Sequence, residues 1–327
     1  MKNIKITLKD TPHDYPSSLV PILMESLGYK ISWVKESQAD LVIQGPFVKK
    51  DHKPFRWLPK PLRPGAQFLK EQLSTFNPSS TSGNSPNNRP NNKLCLFQTS
   101  ENIRPDMTET DFALSFDLGI KDPKHCRFPY WMEMTDWSTE GITGNTNPRF
   151  GRILDIEQMM RPLGDQFLKR ERHALLISSH LLEPRKTIYQ ALSELVPVQG
   201  LGAYFNSDIK NHHQSGFVKF DELQAVAFNL CPENSLFPGY YTEKIPEAFL
   251  AGCLPITWTD QNVQVDFNPK AMINLEPMHW NQFAELPDIL LNETRLAAFA
   301  DEPLMLKRPS IEPIINFLRE VCHQATS

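Results

Sequence analysis

Two cationic side chains occupy unusual positions in the second half of the sequence. Lys244 falls in the first turn of a helix predicted for the segment TEKIPEAFLAG, and Arg185 falls in the first turn of a helix predicted over residues 183–195. The start of a helix carries about half a positive charge and therefore disfavours a cation, unless an anion is also present. A diphosphate at two neighbouring helix starts would bind both side chains through charge-assisted hydrogen bonds. For Lys244 taken alone, a solvated surface position is the alternative.

Other polar residues follow predicted strands. The segment CPEN, residues 231–234, comes directly after the apolar run QAVAFNL, and Glu101 lies at the polar end of LCLFQTSEN. In a parallel α/β sheet, ligands bind outside the carboxyl ends of the strands, where loops lead into helix starts. The pattern therefore predicts a ligand site at such an edge, although Glu101 by itself is also typical of an exposed loop acid.

The elements that must position these residues form two alternating series of strands and helices. In the first half, the pattern predicts a helix ended by Gly28 over residues 17–27, and strands over residues 4–8, 29–34, 41–44, 94–102 and 112–117. In the second half, it predicts helices over 183–195, 242–252 and 311–322, and strands over 173–179, 224–230, 255–258 and 272–275. Alternation of this kind is typical of a mainly parallel sheet.

The length predicts two domains, because a chain of 327 residues exceeds what one hydrophobic core usually supports. We place an N-terminal domain at residues 1–155 and a C-terminal domain at residues 156–327, with a hinge near residues 150–165. Residues 74–92 consist almost entirely of Ser, Thr, Asn, Pro and Gly. They predict a mobile surface insertion in the first domain, for which a tolerated insertion is a simpler interpretation than a functional flap.

The composition is typical of a soluble globular protein, with 40% hydrophobic and 22% charged residues. A net charge of -4 offers no basic field, which argues against a nucleic acid as partner. The five cysteines are widely spaced without a C-x-x-C pair, so we expect reduced thiols. No apolar leader and no run of about eighteen apolar residues occurs, so we expect a cytoplasmic protein without a transmembrane segment.

The common nucleotide and metal motifs are missing. The sequence has no G-x-x-x-x-G-K-[ST], and its G-x-G, formed by Gly200 and Gly202, lacks the third glycine of the dinucleotide fingerprint. It has no H-E-x-x-H either, and the pair His212 and His213 lies in a polar segment. These observations argue against a P-loop NTPase, a nicotinamide dehydrogenase and a metal centre.

The segment FNLCPENSLFPGYYTEKIPEAFLAGCLPITW resembles the donor-binding signature of the α-1,3-fucosyltransferases of glycosyltransferase family 10. The resemblance continues in EPRKTIYQALSEL, in VDFNPKAMINL and, in the first half, in TSEN and CRFPYW. It covers the predicted second domain closely and the first only in patches. It implies a GT-B architecture, in which two Rossmann-like domains face each other across a cleft. The C-terminal domain would hold GDP-fucose and the N-terminal domain the acceptor sugar.

The resemblance implies inverting transfer of L-fucose to a glycan acceptor such as N-acetyllactosamine, commonly to the 3-OH of N-acetylglucosamine. Arg185 and Lys244 would contact the diphosphate and stabilise the departing GDP, and Glu101 would be the general base. Glu243 would bind ribose or fucose hydroxyls. The donor-binding residues that the resemblance assigns are Ser178, Arg185, Glu233, Asn234, Tyr240, Tyr241, Glu243 and Lys244. No cofactor is required besides the donor substrate, and stimulation by a divalent metal is left open.

Three departures from the family pattern concern Pro232, Ser179 and the loop DTPHDYP. Many members have Phe in place of Pro232 and Asn in place of Ser179, but neither change removes a charged group, so we expect donor binding to be retained. The loop lacks the adjacent tryptophans of some bacterial relatives, which leaves the acceptor open. The basic C-terminal tail of some members is also absent, so membrane attachment is not supported, although a peripheral location at the inner membrane is left open.

Two other functions are compatible with these residues. A GT-B transferase that uses another nucleotide sugar would keep Arg185 and Lys244 but change the pockets for the base and the sugar. A non-catalytic nucleotide-sugar-binding module would keep the cations without needing Glu101 as a base. Stabilisation by GDP but not by UDP or CMP would distinguish a fucosyltransferase from a transferase that uses another nucleotide sugar. Loss of transfer with retained GDP binding in Glu101→Gln would distinguish an enzyme from a non-catalytic binding module.

Overall fold

The computed structural model describes residues 1–47, 93–205, 218–276 and 283–327. The predicted insertion at 74–92 and the pair His212 and His213 lie outside these residues. The strands of the described chain are β1 Lys2–Lys9, β2 Tyr29–Trp33, β3 Leu41–Gln44, β4 Leu94–Gln98, β5 Phe112–Ser115, β6 His125–Arg127, β7 Ala174–Ile177, β8 Val198–Leu201, β9 Phe228–Leu230, β10 Leu254–Thr257 and β11 Ile273–Asn274.

The helices lie between and after these strands. The α-helices of the described chain are α1 Leu19–Ser26, α2 Tyr130–Glu133, α3 Ile156–Met159, α4 Gln166–Lys169, α5 Arg185–Ser193, α6 Lys219–Gln224, α7 Lys244–Leu250, α8 Leu286–Leu291, α9 Glu293–Ala300 and α10 Glu312–Ala325. Short 3-10 helices occur at Tyr15–Ser17, Glu36–Gln38, Ser138–Glu140, Gln261–Val265, Pro269–Ala271 and Phe283–Glu285.

The strands form two separate parallel sheets. The first has the order β2-β1-β3-β4-β5-β6 and the second the order β11-β10-β9-β7-β8. The central strands are short apolar runs, such as LVIQ in β3, FALS in β5 and LPIT in β10, and nearly all of their residues are buried. Parallel sheets need this pattern because helices and loops cover both of their faces. The predicted α/β class with mainly parallel sheets is confirmed.

The C-terminal helix α10 packs on the first sheet. It contacts α1, β4 and β6, and its Phe317 ring lies 5.6 Å from the ring of Phe112 in an edge-to-face arrangement. Ile314 and Leu318 of this helix are buried in the same hydrophobic cluster as β1 and β3. The division at residues 155 and 156 stays a prediction, but by its contacts the last helix belongs with the N-terminal sheet.

Most predicted elements occur close to their expected positions. Gly28 ends α1 with a φ of 88°, and the strands predicted at 41–44 and 255–258 correspond to β3 and β10. Two differences concern the strands. The strand predicted over 224–230 is limited to β9, because Gln224 still belongs to α6. The short strands β6 and β8 were not predicted, since three or four residues carry too weak a pattern.

The carboxyl edge of the first sheet contacts loops of the second. At the end of β6, the guanidinium of Arg127 makes two hydrogen bonds to Asp266, at 2.8 and 2.6 Å, and one to the carbonyl oxygen of Gly239 at 3.2 Å. Trp131 also donates to Asp266, at 3.1 Å. These contacts join the two segments CRFPYW and VDFNPKAMINL, which lie far apart in the sequence, and they fix the first sheet against the loop that precedes α7.

Gly239 permits this approach. Its φ is 96°, and a Cβ atom at this position would lie 2.2 Å from the carbonyl oxygen of Phe116. Only glycine combines this left-handed conformation with so close a backbone contact. Next to it, the ring of Tyr240 packs edge-to-face on the ring of Phe116 at 5.0 Å. The loop between β9 and α7 is therefore held directly against the end of β5.

Candidate functional site

A cleft opens at the carboxyl ends of β7 and β9, beside the start of α7. Four cationic side chains and one carboxylate lie among its walls, and Asn229 together with apolar residues of the two strands and of the loop after β9 forms the rest. The lining residues are Arg149, Leu176, Ile177, Arg185, Lys219, Asn229, Leu230, Cys231, Pro232, Glu243 and Lys244. The predicted site at a carboxyl edge of the second sheet therefore corresponds to a real concavity.

Lys244 has an anionic partner within the protein itself. The helix begins at Lys244, two residues later than the predicted Thr242. The ammonium donates to Glu233 Oε2 at 2.8 Å and to Asn234 Oδ1 at 3.3 Å. Glu233 is only 1% exposed and also accepts two hydrogen bonds from Thr242, from the backbone N–H and the hydroxyl, both at 2.8 Å. The sequence-based expectation that an external anion alone offsets Lys244 is therefore corrected, because Glu233 supplies a negative charge at the same helix start.

Arg185 is buried and tightly oriented. Its Nη1 donates to the hydroxyl of Ser178 at 2.8 Å, and its Nη2 donates to Asn234 Oδ1 at 2.9 Å. The hydroxyl of Ser178 in turn donates to the carbonyl of His180 at 2.6 Å. The same Asn234 oxygen therefore accepts from both Arg185 and Lys244, which brings the two predicted diphosphate ligands to one place. Ser178 acts through Arg185 and does not itself line the cleft.

The sequence did not single out two further cations of this cleft. Lys219, at the start of α6, forms a buried ion pair with Glu247, whose other oxygen accepts from Asn147 at 2.7 Å. Arg149 comes from the segment between the two sheets and is exposed. Neither residue belongs to a recognisable motif of the second sheet. Lys219 follows a segment without a strand pattern, and Arg149 lies before β7 in the sequence.

Glu243 lines the cleft beside these cations. Burial opposes its ionisation, but Lys219, Lys244 and Arg149 together lower the pKa of this carboxyl below its ordinary value. Glu243 therefore stays ionised and can accept hydrogen bonds from hydroxyl groups of a ligand. Its position directly before the start of α7 is compatible with the predicted contact to a ribose or fucose hydroxyl.

Glu101, after the end of β4 in the first sheet, does not line the cleft, but its charge interacts with those of Lys244, Glu243 and Arg149, which do. The turn after β4 is closed by Thr99, whose hydroxyl accepts from the Glu101 N–H at 3.0 Å and donates to the Glu101 carbonyl at 2.9 Å. Burial raises the pKa of Glu101 above its ordinary value. The charge of Lys244 opposes this rise, and the carboxylates of Glu243 and Glu233 add to it. The ionisation of the predicted base Glu101 therefore depends on the charges of Lys244, Glu243 and Glu233, although Glu101 follows a strand of the first sheet and these residues belong to the second.

The two predicted tyrosines differ in their surroundings. Tyr240 is 3% exposed. Burial is the main cause that raises the pKa of its phenol, and the carboxylates of Glu233 and Glu101 raise it further. The phenol is therefore neutral. Tyr241 is fully buried and donates from its hydroxyl to Asp260 at 3.2 Å. It does not line the cleft. Its predicted contact with the donor stays a prediction, and its burial shows that it also packs in the core.

Within the described ranges, no group of His, Cys, Asp and Glu residues is arranged to hold a metal ion. None of the five cysteines forms a disulfide, all of them lying in the described part of the chain. The helices that the structure describes include none with the length and apolar character needed to cross a membrane.

Residues 167–295 match the family model for the C-terminal part of glycosyltransferase family 10 (fucosyltransferase). This range is similar to the C-terminal part of that family. The matched range includes every cleft-lining residue named above except Arg149. Arg149 and Glu101 both lie before this range in the sequence. The segment identified by its resemblance to the family signature, from FNLCPEN to LPITW, falls inside the matched range.

The α-(1,3)-fucosyltransferase FucT of Helicobacter pylori is 28% identical to the chain over an alignment of 199 residues, which covers 55% of this chain and 40% of that protein. The match therefore spans well under half of this relative's length. Two crystal structures of α1,3-fucosyltransferase, one without a stated ligand and one with GDP-fucose, superpose with TM-scores of 0.65 and 0.64. They are 20% and 21% identical to the chain and cover 98% of it, with 90% and 91% of their own chains matched. The predicted GT-B fold is confirmed.

Proposed function

We propose that the protein transfers L-fucose from GDP-fucose to a hydroxyl of a glycan acceptor, with inversion at the transferred carbon. The observation that carries this proposal is the position of Glu101. This carboxylate comes from the first sheet, yet its pKa responds to the charges of Lys244 and Glu243 on the second. A carboxylate that follows a strand of the first sheet and a set of cations on the second thus lie close enough for their charges to interact, as a base and leaving-group ligands would. The relative's name and the crystal structure with GDP-fucose support the donor.

On the donor side, Arg185 and Lys244 would bind the diphosphate. Two of the three ammonium protons of Lys244 are directed at Glu233 and Asn234, which leaves one for a phosphate oxygen. The hydrogen bonds to Ser178 and Asn234 hold the Arg185 guanidinium in place before the ligand arrives. Such preorganised charges stabilise the negative charge that grows on GDP as the fucosyl bond breaks.

On the acceptor side, Glu101 would remove the proton of the attacking hydroxyl. Inversion requires the attacking oxygen and the leaving diphosphate on opposite faces of the sugar ring, so the base must come from the wall opposite the cations. The raised pKa of Glu101 makes it a better proton acceptor than an ordinary carboxylate. We propose the 3-OH of N-acetylglucosamine, in an acceptor such as N-acetyllactosamine, as the hydroxyl.

The decisive experiment compares Glu101→Gln with the wild-type protein in an assay of GDP release from GDP-fucose and a panel of N-acetyllactosamine-type acceptors. We expect the variant to lose about 100- to 10,000-fold in kcat, with an unchanged affinity for GDP. Glu109→Gln removes an exposed carboxylate from the same segment between β4 and β5 and serves as the control with unaltered kcat.

The outcomes separate the rival functions. If the wild-type protein releases no GDP above background with any acceptor, transfer is refuted. If it binds GDP and Glu101→Gln changes nothing, a binding module replaces the enzyme. If UDP or CMP, but not GDP, raises the melting temperature, a different nucleotide sugar is the donor. NMR of the product gives the linkage and tests the proposed acceptor hydroxyl.

A further inference from the structure

Arg149 lies in a segment that is fixed firmly at the mouth of the cleft. Its carbonyl oxygen accepts from the backbone N–H of Lys219 at 3.2 Å, and the carbonyl oxygen of Phe150 accepts from Phe220 N–H at 3.0 Å. The side chain of Phe150 is fully buried. Asn147 also anchors the segment, through its hydrogen bond of 2.7 Å to Glu247. The Arg149 guanidinium therefore extends from a backbone that is tied to the start of α6.

The other cations of the cleft are already engaged by protein groups. Arg185 bonds to Ser178 and Asn234, and Lys244 bonds to Glu233. The ion pair of Lys219 with Glu247 is buried, with 13% and 2% of the two side chains exposed. Both carboxylate oxygens of Glu247 are used, one by Lys219 and one by Asn147.

Arg149 differs from these three cations. Within residues 1–47, 93–205, 218–276 and 283–327, no hydrogen bond or ion pair is formed by its guanidinium, although the side chain lines the cleft and is exposed. Its charge acts on Glu243 and on Glu101. Arg149 therefore stands between the two walls of the cleft with its planar set of N–H donors still available to a ligand.

We propose that Arg149 is a third diphosphate-binding cation, supplied by the segment between the two sheets. This inference rests on the proposed function and names a residue that completes the donor site. A guanidinium binds phosphate oxygens through paired N–H donors, and a diphosphate carries the negative charge that a cluster of cations requires. A neutral acceptor hydroxyl offers no such charge, so the diphosphate is the better partner for a cation next to Lys244 and Arg185.

The test measures the affinities of the wild-type protein and of Arg149→Met for GDP and for guanosine by isothermal titration calorimetry. We expect GDP to bind about 10- to 100-fold more weakly to the variant, as for the loss of one or two charge-assisted hydrogen bonds, and guanosine to bind equally to both proteins. Arg149→Lys keeps the charge without the paired donors and is expected to fall between them. Arg152→Met is the matched control, since Arg152 lies in the same segment with its guanidinium 4.4 Å above the ring of Phe220.

Each contrary result points to a different error. An unchanged GDP affinity in Arg149→Met, with GDP bound by the wild-type protein, refutes the inference and leaves the proposed function intact. Equal losses for GDP and guanosine also refute it, because they indicate a distorted site and not a lost phosphate contact. A higher KM for the acceptor with unaltered GDP binding assigns Arg149 to the acceptor side. A wild-type protein that binds no GDP overturns both the inference and the proposed function.

Discussion

Glu133 is a buried carboxyl whose protonation should govern the pH dependence of stability. It lies at the end of α2, is 9% exposed and accepts a hydrogen bond of 2.5 Å from Gln98 Nε2. The other end of the Gln98 amide accepts from the hydroxyl of Tyr15. Burial raises the pKa of Glu133 from 4.5 to about 7, the hydrogen bond from Gln98 opposes this rise, and the charge of Asp14 adds to it.

The sign and size of the effect follow from these two pKa values. The folded protein keeps the Glu133 proton up to a pH of about 7, whereas the unfolded chain releases it near 4.5. The free energy of unfolding must therefore fall as the pH rises between these values, and it stays at the lower level above them. At about 1.4 kcal/mol per pH unit, the difference corresponds to about 3 kcal/mol.

The substitution Glu133→Gln removes this dependence while preserving the shape of the side chain and an oxygen that accepts from Gln98. We expect the stability of the variant relative to the wild-type protein to rise by about 3 kcal/mol between pH 4.5 and pH 8. Urea denaturation followed by circular dichroism at four pH values measures this difference. Glu25→Gln, an exposed position on α1, controls for the loss of a carboxylate as such. Parallel stability curves for wild type and Glu133→Gln would refute the buried, protonated carboxyl.

Three further predictions concern the contacts between the sheets and the donor site. Asp266→Asn leaves the partly buried guanidinium of Arg127 without a carboxylate, and we expect a loss of roughly 3 kcal/mol in urea denaturation; unchanged stability would contradict this ion pair. Gly239→Ala places a methyl group against the carbonyl oxygen of Phe116 in a left-handed conformation, so we expect at least about 1 kcal/mol lower stability and weaker GDP binding in calorimetry. Lys244→Met should lower kcat/KM for GDP-fucose about 100-fold or more, and a variant with wild-type kinetics would exclude the contact with the leaving group.

The order and type of the main elements could be predicted because each depends on a local pattern. The buried runs that became β3, β5 and β10, and the helix ended by Gly28, are visible in a few consecutive residues. The donor segment from FNLCPEN to LPITW was equally visible, since its charged residues lie within a short stretch of chain. The placement of α10 on the first sheet was not, because an amphipathic pattern shows that a helix has a buried face but not which sheet covers it.

For the site, too, some features could be predicted from the sequence and others depended on the tertiary structure. The sequence by itself predicted the cations Arg185 and Lys244 and the carboxylate Glu101 as site residues, and it indicated an anionic ligand. Only the tertiary structure decided that Glu233 neutralises Lys244, that Tyr241 is turned into the core, and that Arg149 and Lys219 join the cleft. The physical reason is that the energy of a charge depends on its neighbours in space and on its burial. Neither quantity is fixed until distant segments pack together.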